Sequence, residues 1–165
     1  MIVVDSNIIC YYALPGDRTP VVDRLRARDP QWCVPPLWRS EFRNVVVGQV
    51  RRGAMELRAA QELVALTEAM LRDHEFAVES SAVLARAAES GCTAYDCEYV
   101  VLAEDLGVAL VTSDKQVLGA FPDRAIAPEQ HAQQQRGRRR TSAHAFAGQV
   151  PRTSNRVPPT PVATG

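Results

Sequence analysis

The chain has no apolar run approaching the ~20 residues of a membrane span. Its first segment, "MIVVDSNIIC", is not basic, and Asp5 interrupts its apolar stretch, so no secretory leader is expected. The expectation is a soluble cytoplasmic protein without a membrane partner. Cysteine is sparse: Cys10, Cys33, Cys92 and Cys97 form no Cys-x-x-Cys pair, and three scattered histidines complete no zinc pattern. Free thiols in a reducing compartment follow. Internal repeats are absent. A length of 165 residues suggests one domain with room for a core.

A net charge of zero hides an asymmetry. Residues 1–58 hold nine Arg and six acids, residues 59–127 four bases and twelve acids, and residues 128–165 six Arg and Glu129. The acidic middle and the basic end are therefore different kinds of surface. Large apolar residues also thin out after Pro128. The segment beginning "EQHAQQQRGRRRTSAHAF" is rich in Gln, Arg, Ser, Thr and Pro. It cannot bury enough surface to offset its ordering entropy, so a disordered tail over 128–165 is expected behind a domain over 1–127. Its "RGRRR" is either a nucleic-acid contact or a solvated extension.

Within 1–127 short apolar runs alternate with amphipathic stretches. "MIVV", "QWCV", "EFAV" and "VALV" read as strands. "NIICYYAL", "TPVVDRLRAR", "PPLWRSEFRNVVVGQVRR", "AMELRAAQELVALTEAMLRD", "SSAVLARAAESG", "TAYDCEYVVLAEDLG" and "DKQVLGAF" read as helices, several started by proline or stopped by glycine. This alternation predicts an α/β fold of three layers, α/β/α, around a mainly parallel sheet.

Ligands in such folds bind beyond the carboxyl ends of the strands. Asp5 directly follows "MIVV", and Asp114 follows "VALV" after Thr112 and Ser113. Parallel strands would bring both aspartates to one edge. Each also has a capping explanation, because Asp or Ser at these positions can start the next helix. Glu41 is placed by helix geometry. At ~100° per residue, Leu37, Trp38 and Val45 lie within about 60° of it, so it falls inside an apolar stripe. Such a carboxylate needs a cation, hydrogen-bond donors or a helix end facing water. Asp96 shares a face with Tyr99, Val100 and Ala103, and also has capping-box spacing to Thr93. Glu98 falls about 160° from Asp96 on this helix, and Glu104 and Asp105 read as ordinary solvated acids. Were all four carboxylates to meet at one edge they would need a cation, since two unit charges ~4 Å apart repel by about 4 kcal/mol at an effective dielectric near 20. An all-oxygen set of that kind would suit Mg²⁺ or Mn²⁺ rather than zinc.

"VVDSNII", "SEFRN" and "TAYDCEYVVLAEDLGVALVTSDKQV" resemble a PIN domain of the VapC-type toxin ribonucleases, over about residues 1–127. The segment from Thr93 to Val117 is the most specific part. The resemblance places the family's acidic residues on Asp5, Glu41, Asp96 and Asp114, its hydroxyl residue on Thr112, and a polar site neighbour on Asn7. It implies Mg²⁺-dependent hydrolysis of RNA leaving a 3′-hydroxyl and a 5′-phosphate. Asp5, Asp96 and Asp114 would be metal ligands, Glu41 would hold a metal or orient a water, and Thr112 would bond a ligand carboxylate or the phosphate. It further implies a homodimer and a cognate antitoxin that blocks the acidic site. Tyr11, Tyr12, Trp38 and Phe42 are candidate apolar anchors for that partner, and the Arg-rich first third offers phosphate contacts. The long tail departs from the family's usual short ending.

Other classes fit less well. An aspartyl-phosphate phosphatase wants Asp-x-Asp, and the second position here is Asn7. A receiver domain wants an acceptor aspartate after a middle strand, where this chain offers only Glu79. A PIN-like module that binds RNA or protein without cutting, and a housekeeping RNA-processing nuclease, remain the alternatives.

Overall fold

The computed structural model describes residues 1–131; the expected tail lies outside the described residues from 132 onward. The first element, β1 (Ile2–Val4), is entirely buried. It pairs on one side with β2 (Trp32–Cys33) and on the other with β3 (Leu110–Val111), and β4 (Ala125–Ile126) continues the sheet beyond β3. The order is β2-β1-β3-β4 and every pairing is parallel. This is the three-layer α/β/α arrangement expected from the alternating pattern.

Two details of the sheet differ from expectation. "EFAV" contributes only one bridge, Val34 to Glu75, with the Phe76 amide donating to the Val34 carbonyl. Phe76 and Ala77 are exposed, so the alternation that suggested a half-buried strand has no neighbour to pair with further on. The strand at Ala125–Ile126 lacks a sequence signal: two apolar residues between "FPDR" and "APEQ" are too short to read as periodic.

The helices follow local chemistry. Asp5 caps α1 (Ser6–Ala13), and Pro20 opens the first turn of α2 (Thr19–Arg28). Next come α3 (Trp38–Arg51) and α4 (Leu57–Leu71), which pack together. A single 3₁₀ turn at Arg72–His74 leads towards α5 (Ser80–Ser90). That helix stops at Gly91, whose φ of 71° a side chain would strain. A capping box from Thr93 and Asp96 then starts α6 (Ala94–Asp105). This helix packs on both α5 and β1 and buries Cys97 and every residue from Tyr99 to Ala103. Its lack of a polar stripe is the mark of a central helix. The last helix before β4 is α7 (Lys115–Ala120).

Trp38 and Phe42, offered by the sequence as partner anchors, are completely buried in the core. Tyr12 lies edge-on against Trp32, with centroids 5.3 Å apart, and Tyr11 carries Arg18 over its ring. Trp38 and Phe42 are thus committed to the core, whereas Tyr11 and Tyr12 remain half-buried. Val45, expected in the apolar stripe of α3, is 39% exposed.

Residues 128–131 are helical and reach back across the molecule. His131 Nε2 lies 2.8 Å from Asp29 Oδ2, and Arg18 Nη1 lies 3.0 Å from Glu129 Oε1. Burial alone would raise the Asp29 carboxyl, but the bonds from His131 and the Met1 amine hold it below its ordinary range. Its stabilising contribution is therefore present above the ordinary carboxylate pKa and lost as pH falls through the depressed folded value. The boundary expected near 127 falls four residues short of His131. Ending the chain at Ala127 should cost about 1.5–3 kcal/mol, the scale of a bond to a charged group, whereas ending it at His131 should cost much less. Urea melts of both truncations against the full chain test this, and equal midpoints would show the His131 contact to be idle.

Candidate active site

The register of β1 against β3 pairs Val4 with Val111, and the next residues on each strand are Asp5 and Thr112. The Asp5 amide donates to the Val111 carbonyl, which fixes the end of β1 against β3. The fully buried Thr112 then donates its hydroxyl to Asp5 Oδ2 at 2.6 Å. Asn7 completes the junction. Its Nδ2 donates to the same oxygen at 2.6 Å and lies 3.1 Å from Thr112 Oγ1, while its Oδ1 accepts from the Ser113 amide. Ser6 and the Asn7 amide donate to Asp5 Oδ1. The cap therefore occupies only one oxygen of Asp5: Oδ1 takes the Ser6 hydroxyl and the Asn7 amide, and Oδ2 takes the side chains of Thr112 and Asn7.

Burial chiefly raises the Asp5 pKa, with a further contribution from the nearby Glu41 charge; the hydrogen bonds from Thr112, Asn7 and Ser6 only partly offset this. The two carboxylates converge on Cys10, whose thiol is pushed up to about 12 by burial and then by Asp5 and Glu41. Glu41 is half-buried on α3, as the helical stripe predicted. Its partner is not a distant arginine. Tyr99, buried in α6, donates its hydroxyl to Glu41 Oε2 at 2.5 Å. Burial and then the Glu41 bond and charge hold the phenol far above its ordinary range, so it is a permanent neutral donor. Arg39, on the other side of α3, pairs with Glu68 and Glu75.

Asp96 and Asp114 both stand at helix starts. Asp96 Oδ2 takes both the Thr93 amide, at 3.0 Å, and the Thr93 hydroxyl, at 2.7 Å. The exposed Asp114 uses Oδ1 to cap α7 through the Gln116 and Val117 amides, and its own amide donates to Thr112. In each residue a single oxygen makes the cap, and among the described residues nothing donates to the other. Among the described residues, no three Asp, Glu, His or Cys stand together as a ready metal cluster. The fold thus unites Asp5, Thr112, Asn7, Glu41 and Tyr99, and holds Asp96 and Asp114 at helix starts.

Two residues were missed in the sequence. Tyr99 was legible as a neighbour of Asp96 on α6, but nothing local reveals that its hydroxyl crosses to α3. Glu98, placed by helix angle opposite Asp96, is half-buried and raised, first by burial and then by the Glu41 charge. Ser113 Oγ is buried without a hydrogen-bond partner among the described residues, which leaves unspent polar capacity between Thr112 and Asp114.

A PIN domain model matches residues 2–122, and the chain belongs to that family. Ribonuclease VapC3 of Pyrobaculum aerophilum is 32% identical over 124 residues, covering 73% of this chain and 95% of the relative. Among solved structures, PAE2754 from Pyrobaculum aerophilum matches with a TM-score of 0.65 at 23% identity, over 81% of this chain and 94% of its own. A toxin–antitoxin complex from Klebsiella pneumoniae matches with a TM-score of 0.57 at 16% identity, over 78% of this chain and 98% of its own.

Replacing Tyr99 with Phe removes the donor from a half-buried carboxylate and should cost about 1–3 kcal/mol. The check is a urea melt of Tyr99→Phe and Glu41→Gln, singly and together. Energies that simply add would mean the hydroxyl and carboxylate do not interact in solution.

Proposed function

We propose that this chain is a divalent-metal-dependent endoribonuclease and the toxin of a toxin–antitoxin pair. The observation that carries the reading is Asp5: a half-buried carboxylate at the tip of the central strand, held by Thr112, Asn7 and Ser6 and raised by burial and then by Glu41. Membership of the PIN family and likeness to a relative named as a VapC ribonuclease support the same reading.

The donor set fits a hard cation. Every proposed ligand is a carboxylate oxygen, the type Mg²⁺ and Mn²⁺ prefer. Asp96 Oδ1 and Asp114 Oδ2 are not committed to their caps, and Glu41 keeps Oε1. Asp5, Asp96 and Asp114 would hold the ion directly or through water. Bound there, it would lower the pKa of a water and take up charge on the oxygens of the scissile phosphodiester. Glu41, aimed by Tyr99, would orient that water. Thr112 is buried and already bonded to Asp5 and the Asp114 amide, which favours the ligand carboxylate over the phosphate as its target. No side-chain nucleophile is required. The hydrolysed strand would end in a 3′-hydroxyl and a 5′-phosphate.

Partners follow from charge and exposure. An arginine of an antitoxin would pair with the carboxylates and compete with the cation. With Trp38 and Phe42 committed to the core, the apolar anchors of such a partner are better received between α3 and α4. There a cavity of about 360 Å³ is lined by Val46, Val50, Leu57 and Val64. A homodimer belongs to the same reading. None of the helices among the described residues is long and apolar enough to cross a membrane.

Purified protein should cut RNA with Mg²⁺ or Mn²⁺ and stop in EDTA. Asp5→Asn should lower the rate by roughly 100-fold or more, the scale of losing a preorganised electrostatic group. Its metal-free melting temperature should hold or rise, because a buried charge facing Glu41 is gone. Undiminished cleavage by a folded Asp5→Asn chain would remove the site from consideration, and RNA binding without any cleavage would favour the non-cutting alternative.

Expression in a bacterial host tests the biological role. Wild type alone should arrest growth, Asp96→Asn should be harmless, and the small protein encoded beside the wild-type gene should restore growth. Cleavage in vitro with no growth arrest would point instead to housekeeping RNA processing.

A further inference from the structure

Beside the acidic site lies a second cavity, of about 540 Å³, whose walls the mechanism above does not use. Leu37, at the start of α3, forms one side, one turn before Glu41. Val78 and Ser80 come from the segment leading into α5, and Val83 and Leu84 from α5 itself. Leu84 is 66% exposed and forms an outer wall. The one ionisable group among the described residues of the lining is Glu98 on α6, next to the Tyr99 that grips Glu41. Among the described residues, no arginine, lysine or histidine pairs with Glu98; every other half-buried glutamate on α3, α4 and α6, and Glu75 after α4, has an ion-pair or hydrogen-bond partner.

Such a lining selects a flat, largely apolar ligand with donors on one edge. Sequence-specific RNA proteins read single-stranded bases by unstacking them against apolar or aromatic walls and bonding their Watson–Crick edges. A carboxylate is an acceptor with two parallel oxygens. Guanine offers N1–H and N2–H₂ side by side and matches it. Adenine and cytosine each set an amino donor beside an acceptor ring nitrogen, and uracil sets its one N–H between two carbonyls. We propose that this cavity holds one unstacked guanine of the RNA being cut, with Glu98 accepting its N1 and N2 protons. The inference rests on the nuclease reading and adds a base preference to it.

The test uses the full chain with Mg²⁺ and short oligouridines carrying one guanosine, inosine, adenosine or cytidine. Inosine keeps N1–H and lacks the N2 amino group. Wild type should prefer guanosine to inosine by about tenfold in kcat/KM, one bond to a charged group, and adenosine should be poorer still. Glu98→Gln should bring guanosine and inosine within about twofold of each other. Val78→Trp, which fills the cavity, should lose the guanosine advantage while plain oligouridine is cut as before. Equal cutting of all four RNAs by wild type overturns the pocket and leaves the nuclease reading standing. If no RNA is cut, fluorescence anisotropy with the same set separates the two ideas. Guanosine-selective binding lost in Glu98→Gln keeps the pocket without the nuclease, and base-blind binding overturns it. A Glu98→Gln chain with unchanged base preference but altered oligomeric state assigns the cavity to a protein partner and also overturns the proposal.

Discussion

Everything at the site hangs on the register between β1 and β3. These strands are three and two residues long, so the pairing of Val4 with Val111 leaves no slack. One residue further along each strand, Asp5 and Thr112 meet, and Asn7 ties them to Ser113. A slip by one residue would turn every side chain to the opposite face of the sheet, carrying the carboxylate away from α3 and an apolar residue towards it. The site is therefore specified by core packing as much as by its own polar groups.

Two demands conflict at that edge. A fold gains from neutral, satisfied groups in its interior, whereas the proposed cation site would need charged oxygens held close. The residues meet both demands in part. Asp5 is surrounded by donors, Glu41 is met by a phenol, and Asp96 and Asp114 each use one oxygen for a helix cap. Tyr99 suits its place because a neutral hydroxyl steadies a carboxylate without cancelling its charge. An arginine there would stabilise the apo protein and compete with a metal.

Much of this was legible beforehand, for identifiable reasons. Asp5 follows an apolar run, and the half-buried position of Glu41 emerges from counting around a helix. The capping box of Asp96 and Thr93 is a local pattern, and it forms as written. The misreadings are of a different kind. Residues 75–78 look like a strand but find only one bridging partner, while Ala125–Ile126 look like nothing and complete the sheet. Both outcomes are decided by neighbours far away in the chain. The same applies to Tyr99 and Glu98, which lie on a helix read correctly but act across a gap that sequence spacing does not encode. Trp38 and Phe42 were misjudged because a large aromatic is equally at home in a core and at an interface, and only the packing decides.

The bond between Thr112 and Asp5 joins residues 107 positions apart. Within the domain β1 is made before every other strand, whereas β3, which completes this edge, follows six α-helices later. A parallel neighbour cannot be supplied early by a hairpin, since every crossover needs its intervening helices. Until then β1 has only β2 to pair with; Asp5 already has Asn7 beside it but lacks Thr112, and Asn7 lacks the Ser113 amide. Through most of the synthesis of this domain, the edge that holds the carboxylate is therefore only half built.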